Sequence, residues 1–378
     1  MKPETEQQLA EMVAGATGPL RIIGGGTQRV TPSDMGETLE TSGLSGISLY
    51  EPGALTIVAG AGTPLSVIDA TLAEEGQYLP FEPTDYRALM GTQGTPTIGG
   101  VIAANVSGPR RIQTGAARDF MLGVRFVDGR GQILKNGGRV MKNVTGYDLV
   151  KLLSGSFGTL GVMSEVSLKV LPVPQTQATV IIEGLDDKQA VAAMARALGS
   201  PYDISGAAHI PAASGNAACT LLRIEGFEGS VAYRAGKLQT LLNGFGASSV
   251  ESDAGNCARQ WRDIRDVAAL AGKDGDIWRI SVRPSDGPEI GTRLQAEDIV
   301  YDWGGGLIWA RTLEGSDIRA RLGGFQGHAT LVRANPDTYR TLARFHPEPD
   351  LISQISQKLR QKFDPHGLFN PGLMGAIS

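Results

Sequence analysis

The run PTIGGVIAANVSG, from Pro96 to Gly108, is the stretch on which the reading of this chain turns. Gly99, Gly100 and Gly108 sit among small residues, Thr97, Ala103, Ala104, Asn105 and Ser107, so the segment carries almost no side-chain bulk. Its backbone can lie directly against a flat or charged ligand and offer N–H groups to it. A second such run, SGSFGTLGV from Ser154 to Val162, carries Gly155, Gly158 and Gly161, and a third, Gly24-Gly25-Gly26-Thr27, lies near the start. Three glycine-rich loops in the first half point to an extended ligand held mainly by main chain. A dinucleotide has that shape.

The chain has 378 residues, which suggests two domains, each large enough to bury its own core. The formal charge is −4 with no long basic or acidic run, which argues against nucleic acid or an anionic membrane as the main partner. Cys219 and Cys257 are far apart and have no metal-ligand spacing, so free thiols in a reducing compartment, and no metal site, are expected. The N-terminal MKPETEQQLAEM is polar and acidic, unlike a secretory leader, and no apolar stretch is long enough to span a bilayer. A cytoplasmic location is expected.

In chain order, Glu6–Val13 reads as an amphipathic helix and Leu20–Ile23 as a strand entering the Gly24 loop. The Rossmann fingerprint fails there. It needs a glycine three residues after Gly26, where Arg29 stands, and Thr31-Pro32-Ser33-Asp34 opposes an immediate helix. Thr38–Ser42, Gly46–Tyr50 and Leu55–Ala59 read as strands. A helix follows with Thr63 as N-cap, Pro64 at its first position, Gly76 at its end and Leu65, Ile68 and Leu72 on one face. Leu79–Pro83 reads as an extended segment. Leu122–Val127 and Gln132–Leu134 flank a turn, Lys142–Asp148 leads into a helix with Leu149, Leu152 and Leu153, and Leu171-Pro172-Val173-Pro174 reads as a linker.

Beyond the linker the glycine pattern stops. The order strand, helix, strand, strand, helix reads over Gln177–Glu183, a helix capped by Asp186, Ile204–Ile210, Cys219–Glu225 and a helix near Ser230–Leu242; after a helix around Asn256–Ala271 a similar order recurs with a closing strand, over Ile277–Val282, Pro288–Ala296, Ile299–Trp303, Leu307–Arg311, Asp317–Leu322 and His328–Val332. This suggests an antiparallel sheet with helices on one face, although the two copies share no visible sequence identity. Four histidines, His209, His328, His346 and His366, all fall in this half. His328 is a candidate base, with a satisfied half-buried histidine as the plain alternative. Arg223, Arg279, Arg283 and Arg311 lie on or beside strands and are candidates to clamp a carboxylate, with surface pairing as the alternative. Trp278 and Trp309 read as core.

The succession GGGT, LPFEP, TIGGVIAANVSG, a Gly115–Asp119 segment, VDGRG, KNVTGYDL, GSFGTLGV and LPVP resembles the PCMH-type FAD-binding domain of the vanillyl-alcohol oxidase family. FDPHGLFNPG, from Phe363 to Gly372, resembles the closing motif of its lactate and glycolate dehydrogenase branch. The resemblance implies an α+β fold: a two-subdomain FAD-binding domain over 1–174, an antiparallel cap over 175–340, and a C-terminal helix in 341–378 returning to the first domain. It places a first pyrophosphate loop on Gly24, Gly25, Gly26, Thr27 and Gln28, and a second pyrophosphate and flavin-ring segment on Thr97, Ile98, Gly99, Gly100, Ala104 and Asn105. Gly115, Arg118 and Asp119 match a further flavin-side region. Gly155, Gly158, Thr159, Gly161 and Val162 match the loop around the adenosine half, and Asn370 a residue returning toward the flavin. Ala103, Ala104 and Ser107 could line a flat slot for the ring.

Covalent members of the family attach FAD through histidine, or histidine plus cysteine, and the first 208 residues contain neither, so non-covalent FAD is expected. The histidine-rich cap motif of active hydroxy-acid dehydrogenases is also missing. The implied function is an FAD-binding subunit of a glycolate oxidase-like 2-hydroxy-acid dehydrogenase that moves a hydride from the α-carbon to flavin. With no cysteine cluster here, electrons would leave through partners, a larger FAD-binding subunit and an iron–sulfur subunit, which could also hold the chain at the inner membrane. Two alternatives stay open: a non-catalytic FAD-binding relay or assembly subunit, and a stand-alone sugar or alcohol oxidase.

Overall fold

The computed structural model describes residues 1–28, 36–139, 146–212 and 217–375. The Thr31–Asp34 and Lys142–Thr145 segments named above lie outside them. The chain divides into two units. The first comprises Met1–Ser107, Ala116–Val173 and Pro347–Ser378; the second comprises Gly108–Gly115 and Pro174–His346. Gly108–Gly115, expected within 1–174, and residues 341–346, expected with the C-terminal segment, therefore both belong to the second unit.

In the first unit, helix Glu6–Ala14 starts where the Thr5 hydroxyl accepts the Gln8 N–H. It buries Leu9 and Val13 against Leu20, Leu39, Val127, Val162 and Phe369. Strand β1 (Leu20–Ile23) pairs in parallel with β2 (Glu37–Glu40). The second strand is shorter than Thr38–Ser42 suggested, because Thr41–Gly43 turns into a 3-10 helix. An antiparallel sheet follows, built from β3 (Ile47–Glu51), β4 (Thr56–Gly60), β6 (Met121–Val127), β7 (Ile133–Gly137) and β8 (Val162–Lys169), in the order β3-β4-β8-β6-β7. Between these, β5 (Gln77–Tyr78) pairs with β9 (Leu171–Pro172), so the proline-rich segment is tied into this unit up to Val173. Helix Leu65–Glu74 buries Leu65, Ile68 and Leu72 as expected. Its cap position is taken by Pro64; the buried Thr63 hydroxyl instead accepts the Gly46 N–H and donates to the Gly46 carbonyl.

The Pro96–Gly108 run, expected as a loop, contains a helix, Ile98–Ala103, capped by Thr97. Ile98, Val101 and Ile102 share one face and are buried. Tertiary packing of that face outweighs the poor helix propensity of two glycines. The C-terminal helix Asp350–Phe363 closes the unit, with Phe363 and Phe126 ring centroids 6.1 Å apart.

The second unit is one antiparallel sheet of eight strands: β10 (Thr176–Glu183), β11 (Ile204–Ile210), β12 (Cys219–Gly226), β13 (Ser248–Glu251), β14 (Asp276–Val282), β15 (Asp298–Asp302), β16 (Leu307–Thr312) and β17 (Gly327–Arg333). Their order is β13-β10-β12-β11-β15-β16-β14-β17. Each half is β-α-β-β-α-β, and the second half's order mirrors the first, so topology supports the repeat that sequence identity did not. Strand β13 escaped the sequence reading because it is a short, largely polar edge strand. Helices Asp187–Leu198 and Glu228–Leu242 bury one face of the first half, and Gly287–Leu294 and Ile318–Leu322 one face of the second. Helices are not confined to one face, however. Helix Ala254–Arg265 lies on the other side of the first half, where its Trp261 indole donates to the Thr179 hydroxyl at 3.0 Å. Among the described residues no helix is long and apolar enough to cross a membrane.

Candidate functional site

The first unit contains a cleft of about 930 Å³, counted out to open solvent. Strand β1 brings Ile22 and Ile23 to its edge and then releases the chain into Gly24, Gly25, Gly26, Thr27 and Gln28, all of which line it. Thr97, Gly99, Gly100 and Ala104 come from the helix Ile98–Ala103 and its ends, Gly158, Gly161 and Val162 from the loop before β8, and Asn370 from the C-terminal turn. Segments scattered over more than three hundred residues of chain thus meet in one place.

Close approach explains the residue types. A Cβ on Gly25 would sit 1.6 Å from the Thr95 carbonyl oxygen, and the Gly25 carbonyl accepts the Thr95 N–H at 2.9 Å. A Cβ on Gly99 would come within 2.7 Å of Ala61, which holds the helix against the end of β4. Among the described residues that line it, none carries a charge. A dinucleotide fits such a lining: its phosphates meet no carboxylate, and main-chain N–H groups are the donors at hand.

Seven of the expected residues do not line the cleft. Ile98 is core. Asn105, at φ +49°, uses its Oδ1 to accept the Arg118 N–H at 3.0 Å. Gly155 packs behind Asn105, and the Thr159 hydroxyl donates to the Ser156 carbonyl at 2.7 Å. Asp119 accepts the Ala116 N–H at 2.9 Å, the Arg118 side chain is half exposed, and Gly115 belongs to the second unit. Ser107 is also turned away, its hydroxyl accepting the Ala117 N–H, whereas Ala103 does line the cleft. Sequence reasoning missed Phe157 and Met163 on the wall. Phe157 had one signal, its position between glycines.

The charged candidates of the second unit separate clearly. Arg223 is buried. Its Nε donates to the Ser205 hydroxyl at 3.1 Å, its guanidinium lies 4.7 Å from the Trp261 ring centroid, and Glu225 is 3.4 Å away. Glu225 also pairs with Arg110 of the Gly108–Gly115 segment. Arg283 is exposed and pairs with Asp286 at 2.8 Å, and Arg311 pairs with Asp298. His209 is fully buried at the seam of the two half-sheets, opposite Tyr301, with Nδ1 2.9 Å from the Thr220 hydroxyl.

Arg279 differs. It is half-buried, with its guanidinium 5.0 Å from the Trp303 ring centroid and 6.0 Å from that of Trp309. Arg111 stacks on the same Trp303 at 4.6 Å, and the Trp303 indole donates to the Gly108 carbonyl at 3.0 Å. In register, Arg279 faces Trp309 on β16 and Thr330 on β17, while Ser281 faces His328. Trp278 points to the opposite face, in the core. Partial burial, then the nearby Arg279, His346 and Arg111, hold the His328 imidazole below its ordinary pKa and therefore neutral at pH 7.

Comparison with known proteins agrees with the cleft. Residues 1–137 match the family described as FAD binding domain. Glycolate oxidase subunit GlcE of Escherichia coli (strain K12) is 38% identical over 343 residues, covering 90% of this chain and 88% of that protein. Glycolate oxidase subunit GlcD of Bacillus subtilis (strain 168) is 33% identical over 147 residues, covering 39% of this chain and 28% of that protein. Among solved structures, alkyldihydroxyacetonephosphate synthase superposes with a TM-score of 0.71 at 15% identity, over 98% of this chain and 76% of that one, a likeness of fold.

Proposed function

This chain belongs to the PCMH-type FAD-binding flavoprotein family of glycolate oxidase subunit GlcE, an FAD-dependent oxidoreductase family acting on CH–OH donors, and on that premise we propose that it is the FAD-binding subunit of a complex that oxidises glycolate or a similar 2-hydroxy acid. The observation that carries the proposal is the cleft of the first unit, which has no charged residue among the described ones that line it and where Gly25 and Gly99 leave no room for a Cβ. Main-chain N–H groups of Gly24–Gln28 would hold the pyrophosphate, because those of Ile98 and Gly99 are bonded to the Thr63 and Ala61 carbonyls. Phe157, Ala103 and Ala104 supply the flat apolar wall that the ring system needs. FAD, when bound, supplies the acceptor for two electrons.

The second unit offers the groups that a 2-hydroxy acid requires. Arg279 presents a planar guanidinium to the carboxylate, and Trp303 and Trp309 fix its plane. His328, neutral at pH 7, is able to take the hydroxyl proton. The chain's two cysteines are too few for an iron–sulfur centre, so electrons leave through a larger flavin subunit and an iron–sulfur subunit, in the cytoplasm or at the inner membrane through those partners. No histidine or cysteine precedes His209, so the flavin is held non-covalently.

The test is the visible spectrum of the purified protein before and after addition of glycolate or D-lactate, followed by acid precipitation. Flavin bands that bleach with substrate, and free FAD in the supernatant, are expected. An apoprotein that takes up no flavin would overturn the reading. A second reading, an FAD-binding relay or assembly subunit, draws on the missing histidine-rich motif. Bound flavin that no 2-hydroxy acid bleaches, but that a reduced partner subunit does, would favour it.

A further inference from the structure

We infer that Asn370 is a positioning residue that sets the distance between two walls of the cofactor cleft, so that flavin affinity is controlled from the carboxy-terminal turn. The inference rests on the cleft being the FAD site. One amide side chain joins two loops that are far apart in sequence. Its Oδ1 accepts the Ile22 N–H at 2.8 Å, and its Nδ2 donates to the Phe157 carbonyl at 2.8 Å. Its own main-chain N–H donates to the Leu20 carbonyl at 3.0 Å. Ile22 is two residues before Gly24, and Phe157 immediately precedes Gly158; all four line the cleft.

The residue type follows from this geometry. A primary amide carries its donor and its acceptor on separate atoms of one planar group, so each can reach a different wall. Aspartate keeps the acceptor and loses the donor. Asn370 also sits at φ +42° and Phe157 at φ +52°, in the left-handed region that asparagine tolerates better than most residues. Both residues are held there from outside. The Phe157 N–H donates to the Ala103 carbonyl, and Asp364 fixes the turn before Asn370 by accepting the Leu368 and Phe369 N–H groups at 3.0 and 2.7 Å. The fit is tight: a Cβ on Gly158 would come 3.3 Å from Asn370 Nδ2. The amide is 3% exposed, and both of its ends are engaged by protein.

The experiment uses the full chain, stripped of flavin, with Asn370→Ala and Asn370→Asp. It combines FAD titration by fluorescence with thermal unfolding and amide hydrogen exchange of the flavin-free protein. We expect Asn370→Ala to weaken FAD binding by about tenfold or more, or about 1.4 kcal/mol. Exchange at the Ile22 N–H should quicken before any FAD is added, and flavin-free thermal stability should fall, because the Ile22 N–H and the Phe157 carbonyl lose their partner. Asn370→Asp should keep Ile22 protected yet still bind FAD more weakly, and it carries the test if the alanine variant fails to fold. Unchanged FAD affinity in both variants would overturn the inference. So would weakened affinity with Ile22 protection intact in Asn370→Ala, which is the signature of a direct contact. A parent protein that binds no FAD would instead refute the cofactor reading, and the exchange at Ile22 would still report whether Asn370 ties the walls.

Discussion

Each half of the eight-stranded sheet stacks an arginine on a tryptophan, on the face away from its paired helices. In the first half, β10 and β12 bring Thr179 opposite Arg223. In the second, β14 and β16 bring Arg279 opposite Trp309. The first arginine is sealed beneath Trp261 of helix Ala254–Arg265, paired with Glu225 and hydrogen-bonded to the Ser205 hydroxyl. The second stands half-buried beside Trp303, a residue of the turn after β15, with hydroxyl and imidazole neighbours on β14 and β17. The chemical pair is the same in both halves. What covers it decides whether the guanidinium is sealed in the core or stays half-buried.

Four measurements would sharpen or break that contrast. The largest effect is expected for Arg223→Met. Removing one member of a buried ion pair costs roughly 3–5 kcal/mol, to be read as a lower urea midpoint, while substrate KM in the folded fraction stays unchanged. Arg279→Met should do the reverse. It should unfold near the parent temperature but raise the KM for glycolate about 100-fold, as expected when a charged hydrogen-bond partner of the substrate is lost, with only part of the loss restored by Arg279→Lys. Equal destabilisation by both substitutions would erase the distinction between the two halves.

A smaller effect concerns His328. Its folded pKa lies below 6.5, so the unfolded chain takes up the proton first. Stability and turnover should both decline as pH falls from about 6.5 through the lowered value, and His328→Gln should remove that limb from the melting-temperature and rate profiles. The smallest effect is expected for Arg283→Ala. Its exposed pair with Asp286 should contribute less than about 1 kcal/mol, with no change in KM. A kinetic defect there would return Arg283 to the site.

Legibility differed in the same way across the molecule. Gly25 and Gly99 were readable because a backbone that must pass within Cβ distance of another chain segment leaves its mark at one position, whatever lies far away. The capping of Asp187–Leu198 by Asp186 was readable for the same reason. Asn105 and Thr159 were placed on the ligand by the family resemblance, yet the Asn105 Oδ1 accepts the Arg118 N–H and the Thr159 hydroxyl donates to the Ser156 carbonyl. The four arginines looked alike in one dimension because each follows or precedes strand residues. Only the elements packed over them tell them apart.

The amino-acid sequence alone therefore determined most of the strands and helices, the three glycine-rich segments, the absence of the Rossmann spacing, and the lack of any histidine or cysteine in the first 208 residues. These are local properties of backbone conformation and composition, and no folding is needed to state them. The tertiary structure decided that Ile98–Ala103 is a helix, that Gly108–Gly115 joins the second unit, that Arg223 is sealed while Arg279 is not, and that Asn370 meets Ile22 and Phe157. Each of these depends on contacts between residues distant in the chain, and burial and hydrogen bonding are settled only when those contacts form.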